Sequence, residues 1–304
     1  LLSMPAWAAG SGAYRIEVPD AGAMGKGGAF AGEANTPAAV FYNPAGMTQI
    51  EKDSFSLGVS VIQPKISYSP ETGDEIQLKA NTFYVPNFYY VTDLGLERFA
   101  FGVGATSAWG LATEWAPDVA VVRYNATRTE MISKDYMLTT AYKVTDQFSL
   151  GLGLDIDDSQ VDKQKKIIQI GEGDANFRLK GDNTALGYRV AAHYKFNDKH
   201  QFGFLYRSPI EHKYHGKVYL DDLGTVPQAA LLGFSYQQVF GGPSFQTEVV
   251  AKSTLPQSAV FGYSFKPNKK WTFNADVEWM DWGTIKKEEV GYPYDAPNAI
   301  ADAI

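Results

Sequence analysis

The side chains in this chain that could do chemistry are few, and most fall on one parity of alternating segments. Arg189 and Arg207 each stand opposite large apolar neighbours, Tyr188 and Val190 for the first and Phe204 and Tyr206 for the second. A guanidinium aimed into an apolar enclosure can receive a carboxylate, because a buried charge without a partner is costly. The same two arginines can instead be held by Asp155, Asp276 or Glu278 in a structural network. Catalytic readings have less support. A hydrolase needs a nucleophile, a base and an orienting group, and His193 shares its face with Arg189 rather than with a suitable serine. His212-Lys213-Tyr214-His215 has the spacing of a metal pair but no third ligand nearby. Solvated polar residues are the simpler reading of it. The glycines Gly22, Gly25, Gly27 and Gly28 precede neither a long helix nor a βαβ unit, so they fail as a dinucleotide loop. No enzymatic activity, cofactor or metal is expected.

The rows exist because the segments that carry them read as strands. Ser54–Val61 alternates polar and apolar residues without a break, as a half-buried strand does. Similar alternation marks 81–92 (interrupted by Pro86), 98–110, 129–143, 148–157, 183–196, 201–220, 256–266 and 271–282, about nine strands in all. The links alternate as well. Short polar ones at 92–97, 144–147, 197–200 and 267–270 take turns with long ones at 69–80, 111–128, 158–182, 221–255 and 283 onward. That regularity belongs to a transmembrane up-and-down barrel with short periplasmic turns and long outer loops. A soluble sandwich has no cause to keep it.

The apolar rows hold Phe, Leu, Val, Trp and Tyr over enough positions for a tilted strand to cross a bilayer core. The opposite rows mix Gly, Ser, Thr and Asn with ionisable residues, which a lumen accepts and a sandwich core does not. Aromatics at 14% and 29 glycines suit strands with aromatic girdles and tight turns. A mean hydropathy of −0.23 does not oppose this reading, because only every second residue of such a strand meets lipid. A net charge of −7 argues against a nucleic-acid partner. Cysteine is absent, so there is neither a disulfide framework nor a thiolate metal site.

Residues 1–9 end in Ala6-Trp7-Ala8 and read as the remnant of a secretory signal lacking its basic start. Residues 10–50 show no period of two; Ala and Gly dominate, and short helical turns are expected there, ending in Asn43-Pro44-Ala45-Gly46. A compact non-strand piece ahead of strands suggests a plug, with the barrel occupying 51–304. By itself Asn43-Pro44 is also simply a turn, since Pro fixes φ and restrains the residue before it. An odd strand number cannot close an up-and-down barrel of bacterial type, so further strands are expected beyond Ile304.

Four stretches carry a resemblance to a known family. Gly22, Gly25, Gly27 and Gly28 leading into Asn43-Pro44-Ala45, then Val85-Pro86-Asn87, Gly110-Leu111-Ala112-Thr113-Glu114 and Thr254-Leu255-Pro256, are similar in kind and order to the FadL/TodX outer-membrane transporters of hydrophobic compounds. The resemblance implies an all-β transmembrane antiparallel barrel of about fourteen strands, about nine of them present here, blocked by a small, mostly helical N-terminal hatch. It implies passive transport of long-chain fatty acids or aromatic hydrocarbons, captured among outer loops and released sideways through the wall at a kinked third strand. The hatch residues Gly22 to Gly28 and Asn43 to Gly46 would then gate that exit, and Gly102 and Gly104 are the candidates for the kink, since glycine inside a strand permits a bulge or a close approach.

Expected substrate contacts are Arg189, Arg207 and the apolar loop residues Trp115, Val121 and Phe234. Exposed apolar loops often mark binding surfaces, although packing of the loop on itself is equally open. The family resemblance also implies an arginine after the Gly-Leu-Gly of the fifth strand. Here that place reads Asp157-Asp158-Ser159-Gln160, which leaves neutral hydrophobic cargo open. Expected surroundings are outer-membrane lipid and lipopolysaccharide around a monomer in a Gram-negative outer membrane. An adhesion barrel acting through its outer loops is the alternative, and a general porin a third reading.

Overall fold

The computed structural model describes residues 14–16, 19–51, 53–71, 73–119, 122–284, 289–291 and 297–300. The signal-like segment 1–9 lies outside them. Alternation turns into wall where it was strongest. The strands are β1 (Ser54–Ile62), β2 (Ser67–Tyr68), β3 (Ile76–Gln77), β4 (Phe83–Thr92), β5 (Phe99–Thr106), β6 (Gly110–Glu114), β7 (Arg128–Lys143), β8 (Phe148–Ile167), β9 (Ala175–Lys195), β10 (His200–Arg207), β11 (Ile210–Asp221), β12 (Phe245–Leu255), β13 (Ser258–Asn268), β14 (Trp271–Met280) and β15 (Glu289–Gly291). One antiparallel sheet runs in the order β1-β4-β5-β7-β8-β9-β10-β13-β14, nine staves. β6 continues the line of β5 beside β7, and β11 and β12 carry the β10 and β13 staves further from the short turns.

Every second residue of a stave faces out, and there the apolar side chains stand uncovered. Phe55, Leu57, Val59 and Val61 of β1 are exposed, Leu57 by 74%, whereas Ser54 to Ser60 on the other parity are half-buried. In water such a surface would aggregate; against lipid tails it is at rest. The inner face meets a hatch made of α1 (Ala21–Met24), α2 (Ala39–Tyr42) and a 3-10 turn, Pro44–Gln49. Its apolar residues Phe30, Ala34, Val40, Phe41 and Met47 form one core with Tyr89, Val91, Ala100, Met137 and Ala141 of the wall.

The structure departs from the sequence reading in four places. Residues 158–167 and 175–182 are strand, not loop, so the link between β8 and β9 is only 168–174. The inward side there is partly apolar, with Val161, Ile167, Ala175, Phe177 and Leu179 in one cluster, but the dense charge around them hides the period. β12 was hidden inside the expected long loop 221–255, although Phe245 and Val249 share one parity and join the same cluster. The expected strand 201–220 is broken at Ser208-Pro209, where proline cannot donate to a ladder. Finally, pairing runs through Gly102 and Gly104 without a bulge, from Phe99↔Tyr142 to Thr106↔Asp135. The third stave is interrupted further on, at 107–109, between β5 and β6. What the two glycines provide is room: a Cβ on Gly102 would lie 2.6 Å from Val40 and Met47 side-chain atoms of the hatch.

The closest approach of hatch to wall is backbone to backbone. A Cβ on Gly203 of β10 would overlap the Ala31 carbonyl, and one on Gly151 of β8 would press the Pro44-Ala45 peptide. Gly203→Val should therefore lower stability by about 1–3 kcal/mol or more through overpacking. Gly173→Ala, with nothing within 4 Å of the added carbon, should be near neutral. Thermal unfolding of the two variants in detergent checks the contrast.

Candidate functional site

The hatch is held by polar side chains that reach inward from the wall. α2 is a single turn, so its last carbonyls have no helical partner. Arg189 on β9 donates to the carbonyls of Val40 and Phe41, at 3.0 Å each, and Arg207 on β10 donates to Phe41 at 3.1 Å. Both guanidinium groups also lie over the Phe41 ring, Arg207 at 4.7 Å from its centre. Arg189 is 1% exposed, and its charge is met by Asp155 and, at 3.5 Å, by Asp135. Arg207 faces Glu278 at 3.6 Å, and Glu278 also pairs with Arg15 at 2.5 Å. Asp276 accepts from the Phe30 and Ala31 amides at 2.9 and 2.8 Å. Of the carboxylates anticipated for the two arginines, Asp155 meets Arg189 and Glu278 meets Arg207, whereas Asp276 meets the hatch backbone instead.

Asn43 works as a bracket. Its Nδ2 donates to Ala31 of the hatch (2.8 Å) and Ala192 of the wall (3.1 Å), while its Oδ1 caps the 3-10 turn through the Ala45 amide at 3.1 Å. Extended backbone at Asn43 and the fixed φ of Pro44 start that turn. Ala45 and Gly46 are buried beside it, Gly46 against Ala34. Gly22 lies within α1 and Gly25 closes it, whereas Gly27 and Gly28 take positive φ, 67° and 81°, to turn the chain back toward Phe30. Gln49 and the Gly32 carbonyl meet His193, which is buried. Glu33 accepts from Lys26 (2.6 Å) and Asn274 (2.7 Å), with Lys266 at 3.6 Å. Burial alone would raise the Glu33 carboxyl, but the hydrogen bonds from Lys26 and Asn274 outweigh it and hold the group below its ordinary value.

Further from the short turns, the interruption at 107–109 leaves a gap in the ladder. Phe83–Asn87 of β4 pair only with β1 among the described residues, because the β4–β5 register begins at Phe88↔Ala105 and β6 pairs with β7. A cavity of about 300 Å³ occupies the gap, lined by Ile62, Phe83, Tyr84, Trp109 and Leu111. Inside the lumen lies a second cavity of about 320 Å³, bounded by Val161, Phe177, Leu179 and Tyr214. Leu111 and Met131 line both. The segment Tyr14–Ile16 passes between them, tied to the interrupted stave by the Ile16 amide to Ala108 and the Gly110 amide to Tyr14, both 2.8 Å.

The remaining sequence candidates are scattered. Trp115 is half-buried just past β6 and bonds its amide to Thr127. Phe234 is 36% exposed in the turn ahead of α3 (Tyr236–Phe240), and Val121 lies outside the described residues. His212 and His215 are three apart on a strand and so face opposite ways. His212 is buried against Asp157 (3.0 Å), which Ser133 also contacts, and His215 is exposed. Among the described residues no group of three metal-capable side chains forms. Sequence reading missed Asp135, although its parity on β7 placed it inward, and Tyr14–Ile16, for which no periodic signal exists.

The family profile described as "Outer membrane protein transport protein (OMPP1/FadL/TodX)" matches residues 2–292. The chain belongs to this family. Among curated relatives, a "Long-chain fatty acid transport protein" of Escherichia coli O6:H1 is 28% identical over 246 residues, 71% of this chain and 54% of that protein. A "47 kDa outer membrane protein" of Pasteurella multocida is 29% identical and covers 94% of this chain and 70% of its own length. The chain therefore spans about half the length of the first of these relatives and more of the second. Among solved structures, a Pseudomonas aeruginosa FadL homologue superposes with a TM-score of 0.74 at 21% identity, over 94% of this chain and 73% of that one. The Ralstonia pickettii toluene transporter TbuX gives 0.63 at 20%, over 84% and 70%. These likenesses establish the barrel fold, and outer-membrane localisation follows from the family. Its named relatives are transporters and membrane proteins.

Two predictions follow from the hatch of this family member. Arg189→Ala leaves Asp135 and Asp155 buried without their cation, which should cost about 3–5 kcal/mol, read as a lower unfolding temperature and protease cleavage within 20–50. Glu33, its carboxyl held below its ordinary value by Lys26 and Asn274, contributes docking stability that is complete above that ordinary value and is lost as pH falls through the depressed folded one. Protection factors of the hatch amides against hydrogen exchange should therefore fall on acidification in the native protein and show no such step in Glu33→Gln.

Proposed function

We propose that this chain is part of a passive outer-membrane channel for hydrophobic molecules, long-chain fatty acids or aromatic hydrocarbons. The observation that carries the reading is the pair of cavities that share Leu111 and Met131, one in the lumen and one at the gap between β4 and β6. An apolar solute entering from the outer side loses water in the lumenal cavity, gaining the free energy of burying its surface. It passes the Tyr14–Ile16 segment and reaches an opening whose far side is the lipid-facing wall. Leaving sideways keeps it out of water throughout, so no energy source and no cofactor are required. The hatch below closes the straight path toward the short turns with paired charges and backbone contacts, and so keeps polar solutes out.

The proposal supplies a reason for the interruption at 107–109 that a plain barrel lacks. Ladder hydrogen bonds left unmade in a membrane wall cost free energy, and here Lys79 ties the outer edge of the gap through its amide and its ammonium to Glu114, 2.9 and 2.6 Å. A curated relative is named for long-chain fatty acid transport and a structure that shares this fold for toluene transport, and the lumenal cavity is apolar enough for either cargo.

Cells lacking their own transporter and carrying the full-length gene should take up radiolabelled oleate or toluene. Ala112→Trp, which fills the gap from its rim, should lower that uptake by about tenfold, ~1.4 kcal/mol of barrier, with the protein inserted at normal levels. Undiminished uptake would remove the sideways route; no uptake by the unaltered protein would remove transport altogether.

A further inference from the structure

Three of the short turns are capped in the same way. The Thr145 hydroxyl accepts from the Gln147 and Phe148 amides at 3.2 and 3.0 Å. Asn197 Oδ1 accepts from Lys199 and His200 at 2.8 and 2.9 Å, and Asn268 Oδ1 from Lys270 and Trp271 at 2.9 and 3.2 Å. A side chain that bonds the amides ahead of it fixes a tight turn. Each cap therefore sets an exposed residue, Gln147, Lys199 or Lys270, one position before the aromatic ring that begins the next stave. The framework is shared; the charge is not.

The last two of these turns lie side by side, because β10 pairs with β13 and the Lys266 amide donates to the Lys199 carbonyl at 2.8 Å. Between them they hold Lys195, Lys199, Lys266, Lys269 and Lys270 against one carboxylate, Asp198. Asp198 is taken by Lys195 at 3.0 Å, and Lys266 faces Glu33 of the hatch at 3.6 Å. Lys199, Lys269 and Lys270 are exposed and, among the described residues, have no ion pair. The turns 93–98 and 143–147, in contrast, carry Asp93, Glu97 and Asp146 against Arg98 and Lys143. Uncompensated cations thus collect at one place on the rim, at the ends of β10, β13 and β14.

The wall next to that place is a belt of outward rings. His200 stacks on Phe265 with centres 4.9 Å apart and shares a hydrogen bond with the Tyr263 hydroxyl at 2.7 Å. Phe273 follows Phe265 at 6.4 Å, and Trp271 follows Phe273 at 6.2 Å. Aromatic belts mark the boundary between hydrocarbon and headgroups, and the short turns of an outer-membrane barrel face the periplasm. The three lysines accordingly stand at the headgroup level of the inner leaflet.

We propose that the rim formed by Lys199, Lys269 and Lys270 binds an anionic glycerophospholipid of the inner leaflet. Its phosphodiester receives charge-assisted hydrogen bonds from the ammonium groups, and its acyl chains lie along Phe265 and Phe273. Lysines clustered at the end of a membrane-spanning segment attract anionic lipid in this way. The adjoining rings call for a ligand that carries hydrocarbon as well as charge. A zwitterionic headgroup, with a cation of its own, gains less from three lysines.

The full-length protein can be reconstituted in phosphatidylcholine vesicles containing a small fraction of phosphatidylglycerol with brominated chains, which quench the tryptophans they touch. Quenching should exceed that from the same fraction of brominated phosphatidylcholine, and the excess should be lost in W271F, which removes the tryptophan at the rim. K199Q/K269Q/K270Q should lower the preference for phosphatidylglycerol about tenfold, ~1.4 kcal/mol. Its melting temperature in phosphatidylcholine should stay that of the unaltered protein, since Gln147 already occupies the equivalent place on the β7–β8 turn. K143Q, on a turn that also carries Asp146, should leave the preference unchanged. Equal quenching by the two lipids, an excess that survives W271F, an undiminished preference in the triple variant or an equal loss in K143Q would each overturn the proposal. So would complete displacement by millimolar glycerol phosphate, which would assign the rim to a soluble anion.

Discussion

The hatch depends on one buried guanidinium. Arg189 is almost wholly enclosed, and a charge in that position persists only if it is paired and hydrogen-bonded on every side. The wall supplies Asp155 and Asp135, and the hatch supplies the Val40 and Phe41 carbonyls that a one-turn helix leaves over. Neither half satisfies the side chain alone. Removing the hatch would strip Arg189 of two acceptors, and removing the arginine would strip α2 of its end. Arg207, Asp276 and Asn43 repeat the pattern in weaker form, each linking a wall residue to a backbone atom of the hatch.

These contacts seat the hatch against the inner face of the wall, and the gap in the ladder lies to one side, between β4 and β6. The third stave is interrupted where the hatch ends and the lumenal cavity begins, and the residues that flank the interruption line both apolar spaces. Hatch, interruption and cavities adjoin one another: the inner end holds paired polar contacts, and the two cavities beside the interruption share Leu111 and Met131.

The barrel was legible in the sequence because one face of each stave had to suit lipid. Phe148 to Ile156 and Trp271 to Trp279 could hardly have been read otherwise. Legibility ended where the lipid ended. Above it, 158–167, 175–182 and 245–255 carry polar and charged residues outward and an inward face that is only partly apolar, so those stretches read as loops although their backbones are paired throughout. At the hatch, residue types and spacing pointed to Gly102, Gly104 and Asn43. They did not say whether the glycines bend the strand or clear a space, because that depends on Val40 and Met47, more than fifty residues away in sequence. Parity placed Arg189 and Arg207 inward, but the acceptors they meet are backbone carbonyls, which carry no sequence signal.

The distances along the chain between hatch and wall have a consequence for how the molecule is put together. Phe30 and Ala31 bond to Asp276, separated from them by 246 and 245 positions, and Ala31 rests against Gly203 and Gly262. The segment is made well before the staves that receive it. Such remote contacts repay their loop-closure entropy only after the intervening sheet has formed. Until then the small apolar residues of 20–50 have no place to settle, and the newly inserted wall surrounds an open lumen. Seating the hatch therefore follows the pairing of the staves that receive it.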